Sequence, residues 1–498
     1  MNGFKNTRSS FHFIITAFLI LNTSCKAQND PANPNDNLPP SVLVTVLTAS
    51  ELNDVSSQSF GMCITENWED QTFWNYPVSP SNNLKEMNTR RLRYGSDQVF
   101  WSESPWTASK PNVINYGPEY WLSQESEIVE AGGKYFKSRM LDFDEFIAMC
   151  RETNSEPEII VPYNLIYSTP AGPNSTMSTK EDFLKNAEEW VRYANVVKGY
   201  NVKYWEIGNE SWNNTGIQAA KYRDDAIIFS RRMKAVDPSI KIIANGNSTS
   251  WFKTVLEAPA GSIDYLCQSF YPCWDYKGGY SYYKNNDINF SPSEALNAIA
   301  NSGKDIKLIV TEFNAIDWND SWKNENDLGH ALASFQIYGD ILKNTKIQSS
   351  IFWNLRWYWK NSAGRWLPED SNPPSVYNAA DKNGNLNANG KALAIWGNNL
   401  FGKIVEAKSS NQILKPFACF DSSTGALNVF IINKDTDTRK VQVSIPDFSK
   451  VKGKVWVFKG ALESDRYPVF TTSEDLVLKE KSGTISIPPT SIVMVKFL

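Results

Sequence analysis

The stretch Tyr204-Trp205-Glu206-Ile207-Gly208-Asn209-Glu210-Ser211 reads as a short buried strand that ends in a turn and delivers an Asn-Glu pair beyond it. Together with Val202, the side chains of Tyr204 and Ile207 suit a packed strand, and Gly208 lets the backbone turn before Asn209 and Glu210. A carboxylic acid at such a strand end is a candidate proton donor. Leu308-Ile309-Val310-Thr311-Glu312-Phe313-Asn314 repeats the design, an apolar strand that ends in Glu312.

Outward from these two segments the chain alternates short apolar runs with helical patterns, beginning near Ser57. Strands are expected at Ser59-Cys63, Arg91-Gly95, Glu158-Val161, Lys203-Ile207, Lys241-Ala244, Tyr265-Phe270, Lys307-Val310 and Ser349-Trp353. Helices are expected between them, among others at Phe143-Arg151, Glu181-Val197, Ala219-Val236 and Leu328-Lys343, with Ala392-Leu400 completing the last unit. Eight such units imply a (β/α)₈ TIM barrel rather than an open sheet. Glu210 and Glu312 then end strands four and seven, and all strand ends open on one mouth. The long inserts Phe100-Lys137 and Trp357-Asn389, rich in Trp, Tyr, Pro and Asn, follow strand ends and are expected to wall a cleft, or else to decorate the surface.

Past Gly402 the period changes to two, for instance in Leu427-Asn428-Val429-Phe430-Ile431 and Lys454-Val455-Trp456-Val457-Phe458, which predicts an antiparallel β-sandwich that Val42-Leu47 can join. The domain division expected is therefore 1–24 a signal peptide, 25–40 a flexible tether, 41–402 the barrel and 403–498 the sandwich.

The start of the chain has the layout of an export signal: Lys5 and Arg8, an apolar run from Phe11 to Leu21, then Asn22-Thr23-Ser24-Cys25. A small residue before a Cys resembles a bacterial lipobox, although Leu21 stands one position further from Cys25 than in that pattern. Acylation of Cys25 would make the protein a membrane-anchored lipoprotein of the outer membrane or cell surface, and simple cleavage would leave it periplasmic. Lys26 to Pro40, polar and rich in Pro and Asn, suits a tether.

Composition narrows the chemistry. With 498 residues, 41% hydrophobic, and a net charge of -4, the chain has material for a large core and no basic stripe for nucleic acid. Contact with a membrane is expected only through a lipid on Cys25. His12 and His330 are the two histidines, and His12 lies in the signal, so a His-built zinc site or a Ser-His-Asp triad is excluded. No metal or organic cofactor is expected, and the reaction falls to carboxylates, Tyr, Asn and Arg. Cys63, Cys150, Cys267, Cys273 and Cys419 are an odd set; Cys267 and Cys273 either bridge or, as small buried residues, stay free.

A single strand-end Glu usually forms a salt bridge or caps a helix. Two in this order on one barrel mouth suit glycoside hydrolysis, in which one carboxyl protonates the leaving oxygen and the other attacks the anomeric carbon or activates water. Glu312, beside an Arg or a Tyr, would serve as nucleophile, and Glu210, its pKa raised by the ionised neighbour, as acid and then base.

Trp205-Glu206-Ile207-Gly208-Asn209-Glu210 with Thr311-Glu312-Phe313-Asn314 resembles the clan A retaining glycoside hydrolases, most of all the family 51 α-L-arabinofuranosidases and relatives in families 39, 79 and 86. Phe60-Gly61, Arg91-Leu92-Arg93-Tyr94, Asp144-Glu145-Phe146 and Asp237-Pro238-Ser239-Ile240-Lys241 carry the likeness along the barrel. The resemblance implies Glu210 as acid/base, Glu312 as nucleophile, Asn209 as ligand of the sugar 2-OH, Arg93 and Tyr271 as partners of the nucleophile, and Trp353 as a platform under the sugar. Two departures bear on substrate: Tyr94-Gly95-Ser96-Asp97 replaces a Pro-Gly-Gly run, and Phe270 stands where many relatives carry His. The substrate implied is a plant or algal polysaccharide or oligosaccharide carrying α-L-arabinofuranose. The competing expectations are an endo-acting β-glycanase of agarase or xylanase type and a non-catalytic carbohydrate-binding lipoprotein.

Overall fold

The computed structural model describes residues 42–55, 59–64, 79–95, 120–122, 127–130, 133–137, 143–167, 179–214, 216–356, 358–360, 366–368, 375–381 and 383–498. The signal segment, Cys25 and the tether lie outside them.

Eight parallel strands close into a barrel: Ser59–Cys63, Arg91–Tyr94, Glu156–Val161, Tyr204–Ile207, Lys241–Asn245, Tyr265–Phe270, Lys307–Phe313 and Ile347–Phe352. Each is followed by a helix, from Pro80–Glu86 after the first to Ala388–Asn399 after the eighth. Strand four shows why the sequence folds this way. Tyr204 points into the barrel, in an interior cluster with Cys63, Ile243, Cys267, Ile309 and Ile351, while Trp205 points out and meets Trp190 of helix Lys180–Val191 edge-on at 5.8 Å. Strand period thus sends alternate residues to two different cores. That helix begins at a capping box, in which Thr179 and Asp182 exchange side-chain-to-backbone hydrogen bonds.

The interior is not wholly apolar. Arg91 on strand two pairs with Glu158 on strand three at 3.0 Å, both fully buried, and the guanidinium lies over the Tyr204 ring. Gly61 makes room for this layer, because a Cβ there would stand 2.8 Å from the Ile351 side chain.

Strand seven runs further than its apolar pattern suggests. It continues to Phe313 instead of stopping at Val310, so Glu312 lies within it. Its pairing with strand six slips by one residue, Gln268 opposite Val310 but Ser269 opposite Glu312. The extra residue is a β-bulge, and it changes the phase of the strand. Ile309 faces inward and Val310 outward, and with Thr311 absorbed by the bulge Glu312 faces inward.

The second element is a nine-stranded sheet that curls around its own core of Val42, Val44, Val429, Val441, Val455, Val493 and neighbours. Its pairings are antiparallel except one: Val42–Asp54 runs antiparallel to Lys403–Ser409 and parallel to Arg439–Ser444. The division at residue 41 is therefore corrected. Val42–Asp54 belongs to the sandwich, because Val42, Val44 and Val46 alternate into its core, and the barrel begins at Ser59.

Barrel and sandwich share a hydrophobic joint. Helix Leu328–Leu342 is buried on every side, and Phe335 stacks on Trp396, which packs 4.4 Å from Phe430 of the sandwich. Lys434 reaches across to the carbonyls of Tyr283 and Asn286, and burial lowers its pKa to about 8. The last barrel helix closes on the turn before strand two, where a Cβ on Gly397 would stand 1.9 Å from the Met87 carbonyl oxygen. Gly397→Ala is expected to lower stability by about 1–3 kcal/mol through this overpacking, measured as a fall in the thermal unfolding midpoint.

Candidate active site

At the C-terminal ends of the barrel strands a single guanidinium organises the site. Arg93, at the end of strand two and 4% exposed, donates from Nε to Glu206 Oε2 at 2.7 Å and from Nη2 to Glu206 Oε1 at 3.1 Å. The same group donates from Nη1 to Glu312 Oε1 at 2.8 Å and from Nη2 to Asn209 Oδ1 at 2.7 Å. Three strands are thereby tied to one cation. The two buried carboxylates push its pKa well above the usual arginine value, against the effect of burial.

The other oxygen of Glu312 accepts a hydrogen bond from the Tyr271 hydroxyl at 2.5 Å. Burial, followed by the charges of Glu312 and Glu210, pushes the Tyr271 phenol well above its normal range, so it remains a donor. Glu210 lies just past strand four. Burial and then the charge of Glu312 lift its pKa to about 7, opposed by a hydrogen bond from Ser269 and by Arg93.

The turn that carries Asn209 and Glu210 is held from several sides. Gly208 and Glu210 both take left-handed backbone conformations, at φ 70 and 48. For Glu210, which has a Cβ, that conformation needs outside support. Asn245 on strand five supplies it, donating to the carbonyls of Ile207 and Gly208 and to the Ser211 hydroxyl, and accepting from the Ser211 amide. Tyr222 donates to the Ile207 carbonyl at 2.7 Å, and Asn164 to the Asn209 carbonyl at 2.6 Å.

Aromatic side chains line the adjoining wall. Trp353, half-buried after strand eight, lies 6.3 Å from Tyr271 edge-on and 5.5 Å from Tyr377. Trp318, 42% exposed, completes the group at 5.4 Å from Tyr271. Asp317 fixes the loop under Trp318 by accepting the amides of Asp275, Tyr276, Asn319 and Trp322, four hydrogen bonds that hold its pKa below the usual range.

Arg93, Asn209, Glu210, Tyr271, Glu312 and Trp353 therefore meet at one end of the barrel. Sequence reasoning passed over Glu206, Ser269, Asn164, Asn245, Trp318 and Tyr377. Only Glu206 carried a visible signal: a charged residue inside an apolar strand at the same parity as Tyr204. Ser96 and Asp97 lie outside the described residues, as does much of the two long inserts; Tyr377 comes from the described part of the second. The five described cysteines are buried and free, so Cys267 and Cys273 do not bridge. Cys267 instead donates its thiol to Glu206 Oε1 at 3.2 Å. Among the described residues no cluster of three or more His, Cys, Asp or Glu could hold a metal ion. A cavity of about 690 Å³ at the opposite, N-terminal end is lined by Asn88, Arg90, Arg91, Glu156 and Gln348. Neither Glu210 nor Glu312 lines it. Chemistry in (β/α)₈ barrels sits at the other face.

Residues 84–287 match the family described as the alpha-L-arabinofuranosidase 1 domain. Alpha-L-arabinofuranosidase C of Emericella nidulans is 24% identical over 188 residues, 34% of this chain and 32% of that protein. The chain thus spans about a third of the length of the fungal relatives it matches. The family 51 α-L-arabinofuranosidase of Bifidobacterium longum superposes with a TM-score of 0.71 at 14% identity, covering 93% of this chain and 100% of that one. The Thermotoga maritima α-L-arabinofuranosidase, solved with arabinose, gives 0.66 at 17% identity, covering 92% and 100%. At such identities the superpositions establish the fold. Fold and family match together make the chain similar to one class of proteins, the clan A glycoside hydrolases. Within that class the chain resembles the family 51 α-L-arabinofuranosidases.

Because Arg93 is the cation for two buried carboxylates, Arg93→Met is expected to cost about 3–5 kcal/mol, read from chemical denaturation. A loss below 1 kcal/mol would show that Glu206 and Glu312 do not depend on it.

Proposed function

We propose that this protein is a retaining glycoside hydrolase that removes α-L-arabinofuranosyl units from plant or algal polysaccharide or oligosaccharide by a two-glutamate double displacement. The observation that carries the reading is the unequal treatment of two carboxyls at one barrel mouth. Glu312 receives a hydrogen bond from Arg93 on one oxygen and from Tyr271 on the other, whereas Glu210 is desolvated and lifted to about 7. A carboxylate held by a donor on each oxygen suits the nucleophile, and a neighbouring carboxyl that keeps its proton suits the acid.

In this reading Glu312 attacks the anomeric carbon while Glu210 gives its proton to the departing oxygen. Glu210 then takes a proton from water as that water displaces Glu312. Asn209, its Oδ1 occupied by Arg93, presents its amide NH₂ to the sugar 2-OH. Trp353 and its aromatic neighbours offer ring faces to sugar C–H bonds. The arabinose assignment follows the named relatives. Export with acylation of Cys25 belongs to the same proposal and places the enzyme at the cell envelope.

The sign of the pH dependence follows from Glu210. As acid it must be protonated, and a pKa raised from 4.5 to about 7 keeps the proton on below that value. The basic limb of kcat/KM is therefore expected near pH 7, with activity lost as the pH rises through it. Glu210→Ala should lower kcat about 10²- to 10⁴-fold on substrates with poor leaving groups, with azide restoring turnover on activated ones. Incubation with arabinoxylan or arabinan, followed by NMR of the first product, should show free L-arabinose of retained configuration. An inverted product removes the nucleophile role of Glu312, and a ladder of oligosaccharides removes the arabinofuranosidase assignment.

A further inference from the structure

The double displacement gives Glu206 no task, yet this carboxylate holds more of Arg93 than either Glu312 or Asn209 does. It takes two of the four hydrogen bonds described above, is 1% exposed, and accepts a further one from the Cys267 thiol. Two carboxylates consequently share one guanidinium inside the barrel. Burying an additional carboxylate is costly, and a neutral Gln of the same shape could still accept from Arg93. What a Gln cannot do is cancel charge.

We propose that Glu206 is a positioning residue that locks the Arg93 fork toward Glu312 and Asn209 and neutralises it, leaving the mouth net negative so that Glu210 retains its proton. The inference rests on the roles assigned above to Glu210 and Glu312. The charged and titratable groups acting on Glu210 are Arg93 from strand two, Glu206 from its own strand, Glu312 from strand seven and Tyr271 beyond strand six, with the Ser269 hydroxyl as a neutral donor. Arg93 is the cation in that set. If its charge were matched by Glu312 alone, it would draw the proton from Glu210 and weaken the field that favours a cationic, oxocarbenium-like transition state. With Glu206 present, one positive group faces two negative ones before Glu210 ionises.

The test compares pH profiles of kcat/KM for the parent, Glu206→Gln, Glu206→Asp and Cys267→Ser, with Glu210→Ala and azide measured alongside. Glu206→Gln is expected to move the basic limb down by roughly one pH unit. Its kcat should fall about tenfold or more, with KM changing less than about threefold. Glu206→Asp, which keeps the charge, should return the limb most of the way. Cys267→Ser keeps the size of the side chain and gives Glu206 a stronger donor that competes with Arg93, so the limb should move the same way by ~0.3 unit. If Glu206→Gln does not fold, this variant carries the test. A limb that stays in place in Glu206→Gln, or in Cys267→Ser when that variant stands in, overturns the proposal and makes Glu206 a structural brace. Failure of the underlying reading looks different: Glu210→Ala would then keep the basic limb and gain nothing from azide.

Discussion

One buried cation governs this molecule. The Arg93 guanidinium, shut inside a barrel and shared by Glu206, Glu312 and Asn209, is tolerable only because its partners come from fixed positions on strands four and seven and on the braced turn after strand four. A guanidinium removed from water loses several kcal/mol of hydration, recovered only when hydrogen-bond geometry is good. Parallel strands and a turn braced by hydrogen bonds supply that geometry. The same rigidity places Tyr271 on the other oxygen of Glu312 and leaves Glu210 partly buried beside an anionic neighbour.

Around this centre the fold works as support. Asn245 and Tyr222 gather the carbonyl ends of strand four, Asn164 steadies the Asn209 carbonyl, and together they hold Glu210 in a left-handed conformation. Asp317 does the same for the loop bearing Trp318. The sandwich contributes from the far side: its contact with helix Leu328–Leu342 and Trp396 buries the helices that follow strands seven and eight, the strands leading to Glu312 and Trp353. Val42–Asp54 begins in that sheet before the chain enters the barrel, so both ends of the described chain lie in one domain.

Two carboxyls of this barrel carry raised pKa values, Glu210 at the mouth and Glu158 below it. Arg91 and Glu158, one layer deeper, form a buried pair without access to the mouth, and burial raises the Glu158 pKa to about 7 as well. A raised value alone therefore identifies no acid. Position at the strand end, a second carboxylate held by its own donors, and an aromatic wall give Glu210 its meaning. The similarity to arabinofuranosidases agrees with that arrangement.

Much of this was legible in the amino-acid order. Period-two and helical patterns determined eight strand-helix units and a following β-sandwich, and strand ends Asn209-Glu210 and Glu312 marked the mouth, because periodicity and strand termination are local properties of the chain. Non-local facts were not legible. The bulge that turns Glu312 inward is a slip in pairing between strands six and seven, invisible in Thr311-Glu312 itself. The choice of Glu206 as the main partner of Arg93 depends on the strand order of the barrel, in which strand three alone separates strands two and four, and on how deep each side chain sits. Tyr377 and Trp318 reach Trp353 only through loop paths. Sequence by itself determined which carboxyls stand at the mouth; tertiary structure decided how their charges are shared, because buried charge interacts through distance and desolvation rather than through position along the chain.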